Sequence, residues 1–142
     1  MFNRIKRLVF GRIGVLMGGP STEREISLKS GKAVYAVLKN RGCDVVAIDL
    51  TEGSEKAVIE AIKKNRVAVV FLALHGHFGE DGTIQSILER NNIPFTGSRK
   101  EASRLAMDKI ASRKRFQEKH LFVPWHYNLN RRKSHSNAEI MA

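Results

Sequence analysis

The sequence feature that most limits the fold is an unbroken apolar run, VAVVFLAL, from Val67 to Leu74. This run is far shorter than the ~20 residues that cross a bilayer, and its valines favour a strand over a helix. A strand without polar positions is typical of a parallel sheet that is covered on both faces. The run therefore predicts a parallel-sheet protein without a transmembrane helix.

Three further strands are predicted along the chain. The stretch RIGVLM, Arg12–Met17, is a short run bounded by Gly18 and Gly19, which is typical of a buried strand. The stretches DVVAIDL, Asp44–Leu50, and IPFTG, Ile93–Gly97, are the other two. With Val67–Leu74, they bring the predicted total to four strands.

Apolar residues at helical spacing predict a helix after each of the first three strands. In the first helix, Thr22 and Glu25 have the spacing of a capping box, and Gly42 marks the end. Its inward face is predicted to consist of Ile26, Ser30, Ala33, Val34, Val37 and Leu38. The second helix is predicted from a cap at Ser54 to about Asn65, and the third covers Gly82–Asn91.

Alternating strands and helices predict an α/β fold with an open, mainly parallel, four-stranded Rossmann-like sheet and flanking helices. A helical segment is predicted from Lys100 to about His120, with a break near Met107 and Asp108, and the stretch FVPWHYNL is extended in character. The tail after it has no periodicity and few apolar residues, so it is predicted to be disordered.

Four segments therefore make up the predicted organisation. They are a basic lead-in at 1–12, an α/β domain at 13–98, a helical linker at 99–129 and a basic tail at 130–142.

Net charge and cysteine content narrow the classes of function. The 142 residues carry a formal charge of +11, but residues 13–98 hold ten basic and ten acidic groups, so the excess lies towards the two ends. A nucleic-acid-binding face needs basic groups gathered on one folded surface, and this distribution argues against one. The single cysteine, Cys43, cannot form an internal disulfide, which favours a cytoplasmic location.

Two glycine-rich segments follow the first and third predicted strands, MGGPSTERE and HGHFGEDG. Parallel sheets bind ligands beyond the carboxyl ends of their strands. Glu23 lies in the first segment and His75 begins the second, so both side chains are expected to face one crevice. A carboxylate at Glu23 can be held by the helix-terminal N–H groups and still face a cationic ligand.

The same segments contain groups that could serve other chemistry. His75 and His77 with Glu80 and Asp81 offer metal-ligating groups, but they lack a closed ligand set or a recognised spacing, so no metal site is predicted. The segment GGPSTERE lacks both the dinucleotide fingerprint and the phosphate-loop pattern. By itself, it predicts a strand-to-helix turn.

Four strings, taken together and in order, resemble one family. The string HGHFGEDGTIQS has the pattern H-G-x-x-G-E-D-G-x-I-Q-S, and GGPSTEREISLKSG, IPFTGS and ASRLAMDKIASRKRF accompany it. Together they resemble the amino-terminal domain of the D-alanine-D-alanine ligases, which are ATP-grasp enzymes of peptidoglycan synthesis. The resemblance runs from about Ile13 to Leu129 and implies a pre-ATP-grasp form of the Rossmann-like sheet at 13–98, with the start of the ATP-grasp region at 99–129.

The resemblance implies a reaction and roles for four residues. In this family, ATP phosphorylates the carboxylate of one D-alanine, and the amine of a second attacks the acyl phosphate. By resemblance, Glu23 holds the ammonium of the first D-alanine, and His75 faces its carboxyl group. Glu80 orients His75, and Lys109 contacts an ATP phosphate. Glu80 and Asp81 are also expected to fix the turn.

The resemblance also implies ATP and magnesium as cofactors, although the family's magnesium ligands lie in domains that would follow this chain. The chain is therefore expected to be a truncated ligase that binds D-alanine and is inactive alone. Three alternatives remain open: a non-catalytic interaction module, one half of a split ligase that needs a complementing fragment, and a homodimer. A basic nucleic-acid-binding protein is the interpretation that the charge distribution disfavours.

Overall fold

The computed structural model describes residues 11–127, which form two compact units. Residues up to Met107 belong to the first unit, and residues from Asp108 belong to the second. The predicted basic tail at 130–142 and most of the basic lead-in lie outside the described residues.

A three-stranded parallel sheet forms the centre of the first unit. Its strands are β1 (Arg12–Gly18), β2 (Val45–Leu50) and β3 (Val67–Leu72), and their order in the sheet is β2-β1-β3. Val15 and Leu16 of the central strand are fully buried. The predicted α/β fold with a parallel sheet is confirmed.

The prediction of a fourth strand at Ile93–Gly97 is wrong. This segment runs beside β3, but it forms only an isolated parallel bridge between Phe95 and Val70. Val70 N–H donates to Pro94 O at 2.8 Å, and Thr96 N–H donates to Val70 O at 3.0 Å. Proline has no N–H to donate, so the pairing does not extend on the Ile93 side. Beyond Thr96 it ends because Leu72 N–H donates to the Thr96 side-chain oxygen at 3.2 Å.

The predicted helices are present, and each begins or ends within a few residues of the prediction. They are α1 (Arg24–Asn40), α2 (Glu55–Lys64), α3 (Thr83–Arg90) and α4 (Lys100–Met107) in the first unit, with α5 (Lys109–Glu118) in the second. The Ser54 cap is confirmed, since its side chain accepts a hydrogen bond from Ala57 N–H. The break at Asp108 is also confirmed, and its carboxylate caps α5.

Helices cover the sheet on both faces. Leu16 faces the cluster that contains Val58 of α2 and Leu88 of α3. Met17 points to the other face, towards α1, where a Cβ added to Gly31 would stand 2.5 Å from Met17 Cβ. The close contact between α1 and β1 therefore depends on the absence of a side chain at Gly31.

The predicted inward face and cap of α1 are partly wrong. The apolar spacing predicts that Ile26 and Val37 face the sheet, but they are 58% and 54% exposed, while Ser27 and Gly31 are buried. Small residues face β1 because they permit the close approach, and apolar spacing alone does not reveal them. Thr22 does not cap the helix, since the N-cap is Glu23 and no side chain caps it.

The third strand is shorter and less covered than its sequence indicates. β3 ends at Leu72, so His75 lies three residues beyond the strand rather than at its last position. Within β3 Val70 is fully buried, whereas Ala68 is exposed. β3 is an edge strand of the described sheet. On its outer side, the backbone pairing consists of the isolated bridge between Val70 and Phe95.

Across residues 11–127, no helix combines the length and hydropathy needed to span a membrane.

Candidate substrate-binding site

Ser21 joins the two glycine-rich loops at the carboxyl end of the sheet. Its hydroxyl donates to the His75 carbonyl oxygen at 2.8 Å and accepts from Glu23 N–H at 3.0 Å. One side chain therefore holds the loop after β1 against the loop after β3. This contact fixes the backbone on which both Glu23 and His75 are carried.

Glu23 presents its carboxylate at this junction. A Cβ built on Gly76 would stand 2.6 Å from Glu23 Oε1, so the carboxylate lies against the residue that follows His75. Gly76 has a φ of +66°, which L side chains rarely adopt. Glycine at this position therefore provides both the turn and the space for the carboxylate.

The Glu23 carboxylate is exposed and makes no hydrogen bond or ion pair within residues 11–127. The expectation that helix-terminal N–H groups hold it is wrong, because no side-chain cap bond forms at α1. An anion without an internal partner is available to a cation from solution.

Ser27 ties the same region together from inside. Its hydroxyl accepts from Gly18 N–H at 2.8 Å and donates to the Ala73 carbonyl at 2.7 Å, and the residue is fully buried. It thus satisfies the N–H of Gly18, the last residue of β1, and the carbonyl of Ala73, the first residue after β3. The spacing of the two loops depends on this bridge.

His75 has a partner at each ring nitrogen. Nε2 lies 2.9 Å from Ser30 Oγ, and Nδ1 lies 3.4 Å from Glu80 Oε1. The other oxygen of Glu80 accepts from Gly76 N–H at 2.9 Å. The contact that the resemblance implied between Glu80 and His75 is present, at a long distance, while its role stays a prediction.

Asp81 closes the turn that follows His75. One carboxylate oxygen accepts from Phe78 N–H at 3.1 Å, and the other accepts from Thr83 N–H at 2.9 Å. The side chain also pairs with exposed His77 at 2.6 Å. The expectation that carboxylates fix this turn is therefore confirmed by these bonds.

We expect Asp81→Asn to destabilise the fold by about 1–2 kcal/mol at neutral pH. Burial raises the pKa of Asp81, but hydrogen bonds from the Thr83 side chain and the Phe78 and Thr83 N–H groups lower it to a greater extent, helped by His77. A lowered pKa in the folded state stabilises the protein above the carboxyl's ordinary pKa, and this contribution disappears as pH falls through the lowered value.

Urea unfolding of both proteins between pH 7 and about pH 3 measures this dependence. The difference in free energy of unfolding should shrink as the pH falls. Glu60→Gln is the matched control, because Glu60 is exposed on α2 and should show no comparable loss at neutral pH. A wild-type advantage that stays constant down to the acidic end would contradict the assignment.

Lys109 is the first residue of α5 in the second unit, next to the Asp108 cap. The contact with ATP phosphate that the resemblance implied for Lys109 stays a prediction.

The metal-ligating side chains of the second loop bond to each other in pairs: His75 pairs with Glu80, and His77 pairs with Asp81. Among the residues that the structure describes, no group of three or more His, Cys, Asp or Glu could hold a metal ion.

Sequence reasoning missed four polar residues that organise this region: Ser21, Ser27, Ser30 and Gln85. Apolar spacing places Ser30 on the inward face of α1 but gives it no partner, and Gln85 donates from Nε2 to the Gly79 carbonyl at 2.8 Å. All four belong to the strings that carry the resemblance. Membership in these strings was the available signal for the four residues, since hydrophobic periodicity gives no signal for small or buried polar side chains.

Comparison with known proteins identifies the family. The family described as D-ala D-ala ligase N-terminus matches residues 12–57 and 52–98. The D-alanine-D-alanine ligase of Pelotomaculum thermopropionicum is 52% identical over 113 residues, covering 80% of this chain and 34% of the relative. That of Desulforudis audaxviator is 46% identical over 131 residues, covering 92% of this chain and 42% of the relative.

Solved structures agree with the sequence comparison. The crystal structure of the Bacillus anthracis D-alanine-D-alanine ligase complexed with ATP gives a TM-score of 0.79 at 35% identity. The match covers 92% of this chain and 43% of that protein. The chain thus spans between a third and about two-fifths of the length of these relatives. From the matched family and these likenesses, the chain belongs to the family of D-alanine-D-alanine ligase amino-terminal domains.

Proposed function

We propose that this chain is the substrate-side part of a D-alanine-D-alanine ligase and binds the first D-alanine for ATP-dependent dipeptide formation in peptidoglycan synthesis. One observation carries the proposal: the unpartnered Glu23 carboxylate lies beside Gly76, the residue that follows His75. This arrangement offers an anion and an imidazole at the end of the sheet where α/β proteins bind their ligands.

The amino acid supplies complementary groups. Its ammonium is a cation with three donors, which suits a carboxylate that accepts no other hydrogen bond among the described residues. Its carboxylate is the group that ATP phosphorylates in the family's reaction, and His75 would face this carboxylate. Holding both ends of the substrate fixes the carboxylate for attack, which is a major part of the catalysis in such reactions.

ATP and magnesium belong to the proposal only through the family. The described residues offer no group that fits magnesium, and Lys109 is the one residue assigned by resemblance to an ATP phosphate. We therefore assign no chemical step through either group to this chain, and we infer that it does not turn over alone. The division at 13–98 and 99–129 and a cytoplasmic location are part of the same proposal.

A second candidate, one half of a split ligase, is favoured by the surface of the second unit. Phe122 and Trp125 are 97% and 71% exposed there, and Phe116 of α5 is also exposed. Large apolar side chains in one short segment are typical of a surface that a partner covers. The remaining part of a ligase is the partner that this candidate requires, and a second copy of the chain is the competing occupant.

A chimera tests the leading proposal. Residues 12–98 replace the matching segment of the Pelotomaculum ligase, and ATP-dependent phosphate release is measured with D-alanine. We expect turnover by the chimera and none by the isolated chain, because the chain supplies only the first substrate site. A folded but inactive chimera would overturn the proposal, with the unaltered relative as the positive control.

The same assay distinguishes the split-ligase candidate. The isolated chain is mixed with the separately produced remainder of the relative. Turnover by the mixture supports complementation, whereas no turnover together with self-association on size exclusion favours the homodimer.

A further inference from the structure

Ser30 is a partner of His75 to which the sequence motifs give no function. It lies on α1, and its Oγ is 2.9 Å from His75 Nε2. The same oxygen is 3.0 Å from the Ile26 carbonyl and 3.2 Å from the Ser27 carbonyl. A hydroxyl has one proton, so it can donate to only one of these three acceptors at a time.

The contact at Nδ1, on the opposite side of the His75 ring, indicates which of these groups accepts the Ser30 proton. Nδ1 faces Glu80 Oε1 at 3.4 Å, and Gly76 N–H holds the second oxygen of that carboxylate. An ionised carboxylate only accepts hydrogen bonds, so this long contact favours the neutral imidazole that carries its proton on Nδ1, and a hydroxyl that donates to Nε2 favours the same form. Nε2 is then an acceptor, and Ser30 is the group that donates to it.

We propose that Ser30 is a positioning residue that fixes the orientation of His75 and holds the neutral ring in its Nδ1–H tautomer. The proposal deepens the proposed function, and it rests on that function only for the statement that His75 meets substrate. The hydrogen bonds from Ser30 to His75 and from His75 to Glu80 connect α1 with the turn after β3, so two separate elements hold the ring.

The Ile26 and Ser27 carbonyls, which lie close to Ser30 Oγ, allow a second hydrogen-bond arrangement around the ring. A substrate carboxylate is an anion, so it favours a ring that is protonated at both nitrogens, Nε2 included, through charge rather than through a hydrogen bond of its own. The Ser30 hydroxyl can then turn its proton to the Ile26 or Ser27 carbonyl and accept from Nε2–H. The charged groups near His75 are Glu80, which contacts the ring, and Glu23, whose carboxylate lies against the neighbouring Gly76, and both are acidic.

Nitrogen NMR of the full chain with labelled histidine tests the tautomer. Spectra recorded in mildly alkaline solution, in which free imidazole is neutral, report which ring nitrogen carries hydrogen. The chain has five histidines, and a His75→Gln spectrum identifies the signals of His75 by their loss. We expect protonated Nδ1 and unprotonated Nε2 in the wild type, a mixture of tautomers in Ser30→Ala, and recovery in Ser30→Thr.

A wild-type ring protonated on Nε2 would overturn the proposal without need of any variant. So would a Ser30→Ala spectrum identical to that of the wild type. Ser98→Ala is the matched control, because Ser98 is exposed and its hydroxyl makes no hydrogen bond among the described residues. It should leave the His75 signals unchanged.

Titration of the same samples with D-alanine separates this inference from the proposed function. Loss of one ordinary hydrogen bond corresponds to roughly a fivefold to tenfold weaker affinity, which we expect for Ser30→Ala but not for Ser30→Thr. If the tautomer is as stated and the wild type binds no D-alanine, the assignment of Ser30 holds and D-alanine binding by the isolated chain fails. If D-alanine binds and the tautomer differs, the assignment of Ser30 alone fails.

Discussion

Ser27→Ala is expected to lower the free energy of unfolding by about 2–4 kcal/mol, because two buried backbone groups lose their partner. Gly18 N–H and the Ala73 carbonyl both bond to the Ser27 hydroxyl, and the residue is fully buried, so water cannot replace it without opening the loops. An unsatisfied buried polar group costs about 1–3 kcal/mol, and here two arise from one substitution.

Urea denaturation of the purified chain measures this loss, and Ser98→Ala serves as the exposed serine control. Alanine is a better helix former than serine, and this difference offsets the expected loss in free energy of unfolding by a few tenths of a kcal/mol at most. A Ser27→Ala protein within about 0.5 kcal/mol of the wild type, the range of ordinary surface substitutions, would show that the bridge does not stabilise the fold.

The order of strands and helices could be predicted because it depends on hydrophobic pattern and turn residues. The run from Val67 and the cap at Ser54 both correspond to observed elements. The fourth strand could not be judged in the same way. Whether Ile93–Gly97 pairs along its length depends on hydrogen bonds to β3 that apolar pattern does not reveal, and Pro94, which has no N–H, was the one signal in the sequence against a full strand.

The inward face of α1 was mispredicted for a related reason. Apolar spacing selects the most apolar stripe of a helix, but a helix that lies very close to a strand presents its smallest residues. Gly31 has no side chain, and Ser27 has a small polar one that finds partners in the backbone. Ile26 is left exposed because α1 turns these small residues towards β1.

The candidate site was predictable in part. Topology alone places the loops after two parallel strands at one edge, and the structure brings Glu23 beside Gly76 at that edge. The hydroxyl groups that hold the loops were not predictable from composition or periodicity. Ser21 and Ser30 act through single hydrogen bonds to the His75 backbone and ring, and such contacts depend on tertiary geometry.

The proposed function makes Glu23→Gln the substitution with the largest effect on activity. In the chimera described above, we expect the value of kcat/KM for the first D-alanine to fall about 10-fold to 150-fold. This range corresponds to roughly 1.5–3 kcal/mol for a hydrogen bond to a charged group. Glutamine keeps the size and one acceptor oxygen of Glu23, so the change removes chiefly the negative charge that faces the ammonium.

The loss should appear mainly in KM. The ammonium of the first D-alanine does not react, so its contact with Glu23 is as strong in the ground state as in the transition state. Removing such a contact raises KM and leaves kcat nearly unchanged. A fall in kcat at constant KM would instead place Glu23 in contact with the reacting carboxyl group.

Glu25→Gln provides the comparison that isolates position from charge. Glu25 lies in the first turn of the same helix and is exposed, so its substitution changes the net charge by the same amount and also removes a carboxylate near the helix N-terminus. Its kcat/KM should stay within about twofold of the parent, since exposed charges interact weakly over such distances in salt. Equal losses for the two variants would mean that general electrostatics, and not a contact at Glu23, attracts the substrate.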